Sequence, residues 1–96
     1  MEFVWHPEAV AEADAAAAFY RTLQHELARR FVHHLSEAIE RIAFKPTIYR
    51  EVETGIRKIR MRAFPYAVIY RSSGPRIEII AAMHTRRRPG YWRERT

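Results

Sequence analysis

The spacing of apolar residues changes period at Pro46, and no other feature of the chain constrains its fold as strongly. Before that proline the repeat is helical. From Glu8 to about Leu23, "EAVAEADAAAAFYRTL" has high helix propensity and places Val10, Ala13, Ala17 and Tyr20 on one predicted stripe. From about Glu26 to Phe44, Phe31, Leu35, Ala38 and Ile42 recur at spacings of four, three and four, and Leu27, Val32 and Ile39 widen the apolar band. Pro46 cannot continue that helix. Beyond it the period becomes two: in "IRKIRMRAF" Ile59, Met61 and Ala63 are expected to point one way, and Lys58, Arg60 and Arg62 the other. "PYAVIYR" and "RIEIIAAMH" are largely apolar runs separated by the turn residues "SSGP", which predicts an antiparallel hairpin near the middle of a sheet.

The start of the chain adds one more strand. "MEFVW" is a β-type run closed by His6-Pro7; proline is tolerated in the first turn of a helix, Glu8 complements the helix dipole there, and His6 is placed to cap it. Only a few residues around Gln24-His25 separate the two helices, so they are expected to form an antiparallel hairpin, and the alanines of the first allow close approach. "PTIYREVETG" reads as irregular. The predicted order is β-α-α-β-β-β, an α+β fold with the two-helix hairpin packed on one face of a largely antiparallel sheet. The other face is expected to stay partly open, with Lys58, Arg60 and Arg62 on it. No repeat or linker divides the chain, so residues 1–96 are read as a single domain with one core.

Charge is distributed unevenly. Residues 1–50 hold six Lys/Arg against seven Asp/Glu, a net of −1, whereas residues 51–96 hold eleven against four, a net of +7. A basic surface of this kind favours polyanions or an acidic protein partner. Ten of the eleven cations in that half are arginine, whose planar fork binds phosphate or carboxylate bidentately. The chain has no cysteine, no secretory leader at its start and no apolar run long enough for a membrane span, which points to the cytoplasm and away from a membrane.

Metal and nucleotide motifs are missing from the sequence: there is no Gly-rich phosphate loop, no Walker-type lysine, no His-Glu-x-x-His and no zinc spacing, so no cofactor or metal is expected. His33 and His34 are adjacent on a helix and diverge by about 100°, too far to serve one ion. The concentrated chemistry lies in "MHTRRRPGYWRERT", residues 83–96. His84, followed by Arg86, Arg87 and Arg88, pairs a near-neutral base with cations able to stabilise a phosphorane, the minimum for metal-free ribonuclease chemistry. A structural His84, its ring bonded to a neighbouring backbone carbonyl, is the competing reading. Arg60 and Arg62 are spaced to present parallel forks to phosphates, or to be solvated. Tyr91 is able to stack on a base, and Trp92 to pack back onto the core.

Several stretches together carry a resemblance. "HPEAVAEADAAAAFY", "IERIAFKP", "GIRKIRMRAFPYAVIYR" and "IEIIAAMHTRRRPGYWRER" resemble the RelE/ParE family of small toxins of bacterial type II toxin–antitoxin modules, over essentially the whole chain. The specific signal is an ordered combination: Pro-Glu-Ala at the first helix, Arg-x-x-x-Phe-Pro-Tyr between strands, and His-x-x-Arg-x-Pro-x-Tyr-Trp at the end. The resemblance implies a plasmid-stabilisation type of growth inhibitor, neutralised by a cognate acidic antitoxin. It implies one of two targets. ParE-like members inhibit DNA gyrase and are not nucleases, whereas RelE-like members cleave messenger RNA on the ribosome. In the second case His84, Tyr91 and Arg87 would be catalytic. In either case Arg57, Lys58, Arg60, Arg62, Arg86, Arg87 and Arg88 would bind phosphate or the target. The form "FPYAVIYR…MHTRRRPGYW" resembles the ParE-like branch more than the ribosome-dependent one, which leaves the enzyme question open.

Overall fold

A computed structural model describes all residues from Met1 to Thr96. Strand β1 (Glu2–Trp5) leads directly into helix α1 (Pro7–Leu23), and after the single residue Gln24 helix α2 (His25–Phe44) returns. Strands β2 (Arg50–Glu53), β3 (Ile56–Arg60), β4 (Tyr66–Ser73) and β5 (Arg76–His84) follow, and a short 3-10 turn, Arg93–Arg95, ends the chain. The five strands form one sheet in the order β1-β5-β4-β3-β2, antiparallel throughout except for β1, which lies parallel to β5.

The fold is therefore α+β with the order β-α-α-β-β-β-β, one strand more than the sequence suggests. The extra strand is β2, inside the stretch read as irregular. "REVE" is four residues long, carries three charges and lies at the sheet edge, where neither apolar alternation nor burial marks it.

Helix α1 begins as its residues dictate. The His6 ring accepts a hydrogen bond from the Glu8 backbone N–H at 3.1 Å, and Pro7 occupies the first turn, where its missing N–H costs nothing. The face it buries is rotated from the predicted stripe. Ala9 and Ala16 are fully buried, whereas Val10 is 41% exposed, because the helix packs against both α2 and β5 and uses its smallest side chains at the closest approach. Helix α2 follows its predicted stripe more closely, burying Ala28, Phe31, Ala38 and Ile42 and leaving Val32 exposed.

Two clusters form the interior. The larger lies between the hairpin and the sheet and includes Phe31, Ile42, Ile59, Met61, Val68, Tyr70, Ile77 and Ile79. Tyr70 is buried within it, yet its hydroxyl donates to the Pro46 carbonyl at 2.6 Å and so ties the segment after α2 onto the sheet; burial pushes the phenol's pKa up to about 12. The smaller cluster, Ile56, Ala67, Ile69, Ile80, Ala81, Met83 and Trp92, lies on the opposite face. That face is covered by the C-terminal residues through Trp92, and is less open than the sequence suggests.

The turn from β3 to β4 carries the one non-glycine residue with positive φ, Phe64 at 73°. A bulky residue just before a proline avoids this region, so the surroundings must impose it. They are aromatic: the Phe64 ring meets Tyr20 at 4.8 Å and Phe31 at 5.5 Å, both edge-on, and Phe31 in turn meets Tyr66 at 5.2 Å. Phe31 is the shared centre of this group. Replacing it with alanine is expected to cost about 3–5 kcal/mol of unfolding free energy, read from urea denaturation, since it removes a fully buried ring and three aromatic contacts at once.

Candidate functional site

The candidate residues fall on both faces of the sheet, and a β-bulge determines which face each one takes. Ile69 pairs with Ala81 but Tyr70 pairs with Ile79, so Ile80 is an extra residue on β5. Before the bulge Ile77 and Ile79 face the helices; after it Ile80, Ala81 and Met83 all belong to the opposite cluster. Ala82 and His84 are thereby turned toward α1. Strict alternation puts His84 on the side of Glu78, and the bulge reverses that. Glu78 instead forms a cross-strand pair with Arg71 at 2.7 Å, which lowers its carboxyl pKa.

His84 stands at the end of β5 with its ring edge-on to Tyr66, centroids 5.0 Å apart. Its Nδ1 accepts a hydrogen bond from the Arg86 backbone N–H at 3.0 Å, a local bond that shapes the start of the basic segment. The ring thus bonds a neighbouring amide, where the sequence reading has it bond a carbonyl. His84, Tyr66, Ala82 and Arg87 line a cleft of about 200 Å³ whose other wall is Glu12, Ala15 and Ala16 of α1.

Glu12 is the residue that sequence reasoning missed. Its Oε1 accepts from the Ala82 backbone N–H at 3.0 Å and from Arg95 Nη1 at 2.8 Å; its Oε2 accepts from the Tyr91 hydroxyl at 2.6 Å and from Arg95 Nη2 at 3.0 Å. Burial pushes the Glu12 pKa up, but the bonds from Arg95, Tyr91 and Ala82 outweigh it and hold the carboxyl below its ordinary value. The same bond acts on Tyr91 in the other sense: burial first, then the Glu12 carboxylate, raise its phenol pKa far above the ordinary value of 10.0. The signal is visible only once the buried face of α1 is known. Glu12 lies three residues after Ala9 and four before Ala16, in the middle of the buried stripe.

The C-terminal segment straddles the sheet. Gly90, with φ of 80°, makes a turn that a side chain would obstruct by meeting the Arg93 guanidinium. After it Tyr91 and Arg95 reach Glu12 on the helix side, while Trp92, 3% exposed, packs into the cluster on the far face and Arg93 pairs with Glu53 of β2. Arg87 lies over the Tyr91 ring at 3.8 Å. Arg86, Arg87 and Arg88 are exposed, and none of them forms an ion pair.

The strand cations divide. Lys58 and Arg60 are on the far face, opposite Ile69 and Ala67 in register. Arg57 is on the helix side, donating to the Tyr49 carbonyl at 2.7 Å, with Glu51 at 3.7 Å. Arg62 does not share a strand face with Arg60, because β3 ends at Arg60 and the turn leads Arg62 to Glu37 of α2 at 3.1 Å. The parallel forks expected of Arg60 and Arg62 are therefore not formed. His33 is exposed, and His34 packs toward Phe64 with ring centroids 6.0 Å apart.

A two-helix hairpin on one face of a mixed sheet, with a basic C-terminal strap wrapped around β5 to the other face, makes a small α+β domain whose strap leaves Arg86, Arg87 and Arg88 exposed. Residues 3–89 match the family model described as ParE toxin of type II toxin-antitoxin system, parDE, and the chain belongs to that family. Among curated proteins no sequence match reaches significance. Among solved structures, a chain described as chromosomal ParDE TA system from P. aeruginosa matches with a TM-score of 0.74 and 23% identity, over 88% of this chain and 95% of that one, a likeness of fold.

Because the Glu12 carboxyl is held below its ordinary value of 4.5, its contribution to stability is present above that value and lost as pH falls through the lowered one. Glu12→Gln is expected to lose about 3 kcal/mol at pH 7, since Arg95 is left without its partner, and to flatten the acid limb of a stability–pH curve measured by urea unfolding.

Proposed function

We propose that the chain is the toxin of a type II toxin–antitoxin pair, neutralised by a cognate acidic antitoxin, and that it acts by inhibiting DNA gyrase. What carries the choice of target is the use made of Tyr91 and His84. A nuclease needs these side chains free to exchange protons with RNA. Here the Tyr91 hydroxyl is committed to a buried carboxylate and its pKa is raised, which makes it a poor base near neutral pH. The His84 Nδ1 is occupied by a backbone amide. The exposed arginines 86–88 form no internal ion pair, and arginine is as well matched to protein carboxylates as to phosphates.

The antitoxin part of the proposal rests on the family and on charge. A half-chain of net +7 attracts an acidic segment at long range, and the exposed apolar residues of the helical hairpin, among them Phe19, Leu23 and Val32, supply anchors for a segment that orders on binding. No helix is long and apolar enough to cross a membrane. The proposal has the protein act in the cytoplasm, where gyrase and the ribosome both reside.

The alternative, a ribosome-dependent endoribonuclease using His84, Arg87 and Tyr91, is separated by one pair of assays on antitoxin-free protein. Gyrase supercoiling with detection of trapped cleaved DNA is expected to be inhibited, with messenger intact on programmed ribosomes. The Arg86→Ala, Arg87→Ala, Arg88→Ala triple variant is expected to need at least ten-fold more protein for the same inhibition. Cut messenger with normal gyrase would reject the proposal.

A further inference from the structure

We propose that the pocket on the far face of the sheet, between Lys58 of β3 and the strap residues Arg87 and Trp92, binds a small aromatic monocarboxylate of about the size of benzoate. The carboxylate meets Lys58 and Arg87, and the ring rests on Ile69, Met83 and Trp92. The proposal is independent of the target assigned above.

Lys58 is the residue that carries it. Five Lys and Arg side chains are half-buried, namely Arg41, Arg57, Lys58, Arg71 and Arg95. Four of them are matched internally: Arg41 to Glu37, Arg57 to Glu51, Arg71 to Glu78 and Arg95 to Glu12. Lys58 forms no ion pair. Its neighbours on the sheet add to the imbalance. In register it stands opposite Arg50 of β2 on one side and Ile69 of β4 on the other, and cations directly opposite one another on a sheet repel. The one carboxylate lining the pocket, Glu53, is taken by Arg93, which leaves Lys58 and Arg87 over. A cation partly withdrawn from water without a counter-charge is costly, and a bound anion removes that cost.

Shape narrows the choice of anion. The pocket encloses about 140 Å³, and its apolar lining includes Ile69, Met83 and Trp92, all members of the smaller core cluster. That volume is close to the roughly 150 Å³ of an apolar protein cavity that takes up benzene. A nucleotide, with its base, ribose and phosphate, exceeds it, and a bare phosphate leaves the apolar lining without a partner. An alkyl carboxylate of equal volume loses more rotational freedom on binding than a rigid ring does. The Met83 thioether is a favourable neighbour for a ring. Arg87, whose guanidinium lies over the Tyr91 ring at 3.8 Å, supplies the planar fork that a carboxylate accepts bidentately.

The test is an amide-correlation NMR titration of the full chain with benzoate, with benzyl alcohol, inorganic phosphate and uridine monophosphate as comparison probes. Benzoate is expected to move the Trp92 indole signal and the Lys58 and Met83 amide signals with a Kd of about 0.1–1 mM, the range open to a ligand of about nine non-hydrogen atoms. The neutral benzyl alcohol and the two phosphates are expected to bind at least ten-fold more weakly. Lys58→Gln keeps most of the side-chain stem and is expected to weaken benzoate at least ten-fold without lowering the melting temperature, whereas Lys58→Arg is expected to retain binding. Lys58→Glu supplies the missing anion from within, so it is expected to raise the melting temperature of the ligand-free protein and to abolish benzoate binding. No movement of the Trp92 indole signal at ten times the expected Kd, equal affinity for benzyl alcohol, or unchanged benzoate affinity in Lys58→Gln would overturn the proposal. Tighter binding of phosphate or uridine monophosphate than of benzoate would overturn it as well, and would make the pocket a phosphate site.

Discussion

Beyond Ile79, strand β5 has no neighbour on one side, and the hydrogen bonds of that bare edge are supplied by an ion pair. Strand β1 stops at Trp5, with the His6 N–H making the last ladder bond to the Ile79 carbonyl at 2.9 Å. From there the Ala82 N–H goes to Glu12 and the Ile80 carbonyl accepts from Arg95 at 3.2 Å. Glu12 and Arg95 thus stand where another strand would be. An unpaired amide in this partly buried setting costs about 1–3 kcal/mol, and a buried carboxylate with a single partner costs more. Neither cost is incurred, because four donors converge on the one carboxylate. This constraint fixes the height of α1 over the sheet, holds the C-terminal segment in place, and sets the direction in which Tyr91 and Trp92 separate.

The helical hairpin was legible because each of its signals is local: a capping histidine before a proline, a 3.6 period, a proline stop. The tightness of its packing was also legible in the alanines, although the buried face was not, since alanine carries little amphipathic contrast and the choice between Ala9 and Val10 is made by what lies above and below the helix. Strand β2 was not legible, because four residues alternating between charges and one valine acquire their conformation from β3. The parallel pairing of β1 with β5 is likewise a property of the assembled sheet.

Site residues depended on a single extra residue. "IEIIAAMH" reads as an unbroken apolar run, and nothing in it announces the bulge at Ile80, yet the bulge moves His84 from the face of Lys58 and Arg60 to the face of Glu12. Register is the property of a strand least visible in its composition. The end of β3 had a similar effect on Arg62. Phe64 is held at positive φ by Tyr20 and Phe31, and a turn fixed from the helices carries Arg62 to Glu37. In both cases the deciding contacts lie far away in sequence from the residue they place.

The same arrangement sets which parts of the C-terminal segment are packed and which are exposed. The strap helps close the edge of β5 and leaves Arg86, Arg87 and Arg88 exposed. Glu12 and Arg95 close the edge, Tyr91 is bonded to Glu12 and Trp92 is buried on the far face, so what the segment leaves outside is chiefly guanidinium groups. Exposed cations attract an acidic partner at long range. The anchoring of Tyr91 and Arg95 to Glu12 is thus what divides the packed part of the C-terminal segment from its exposed arginines.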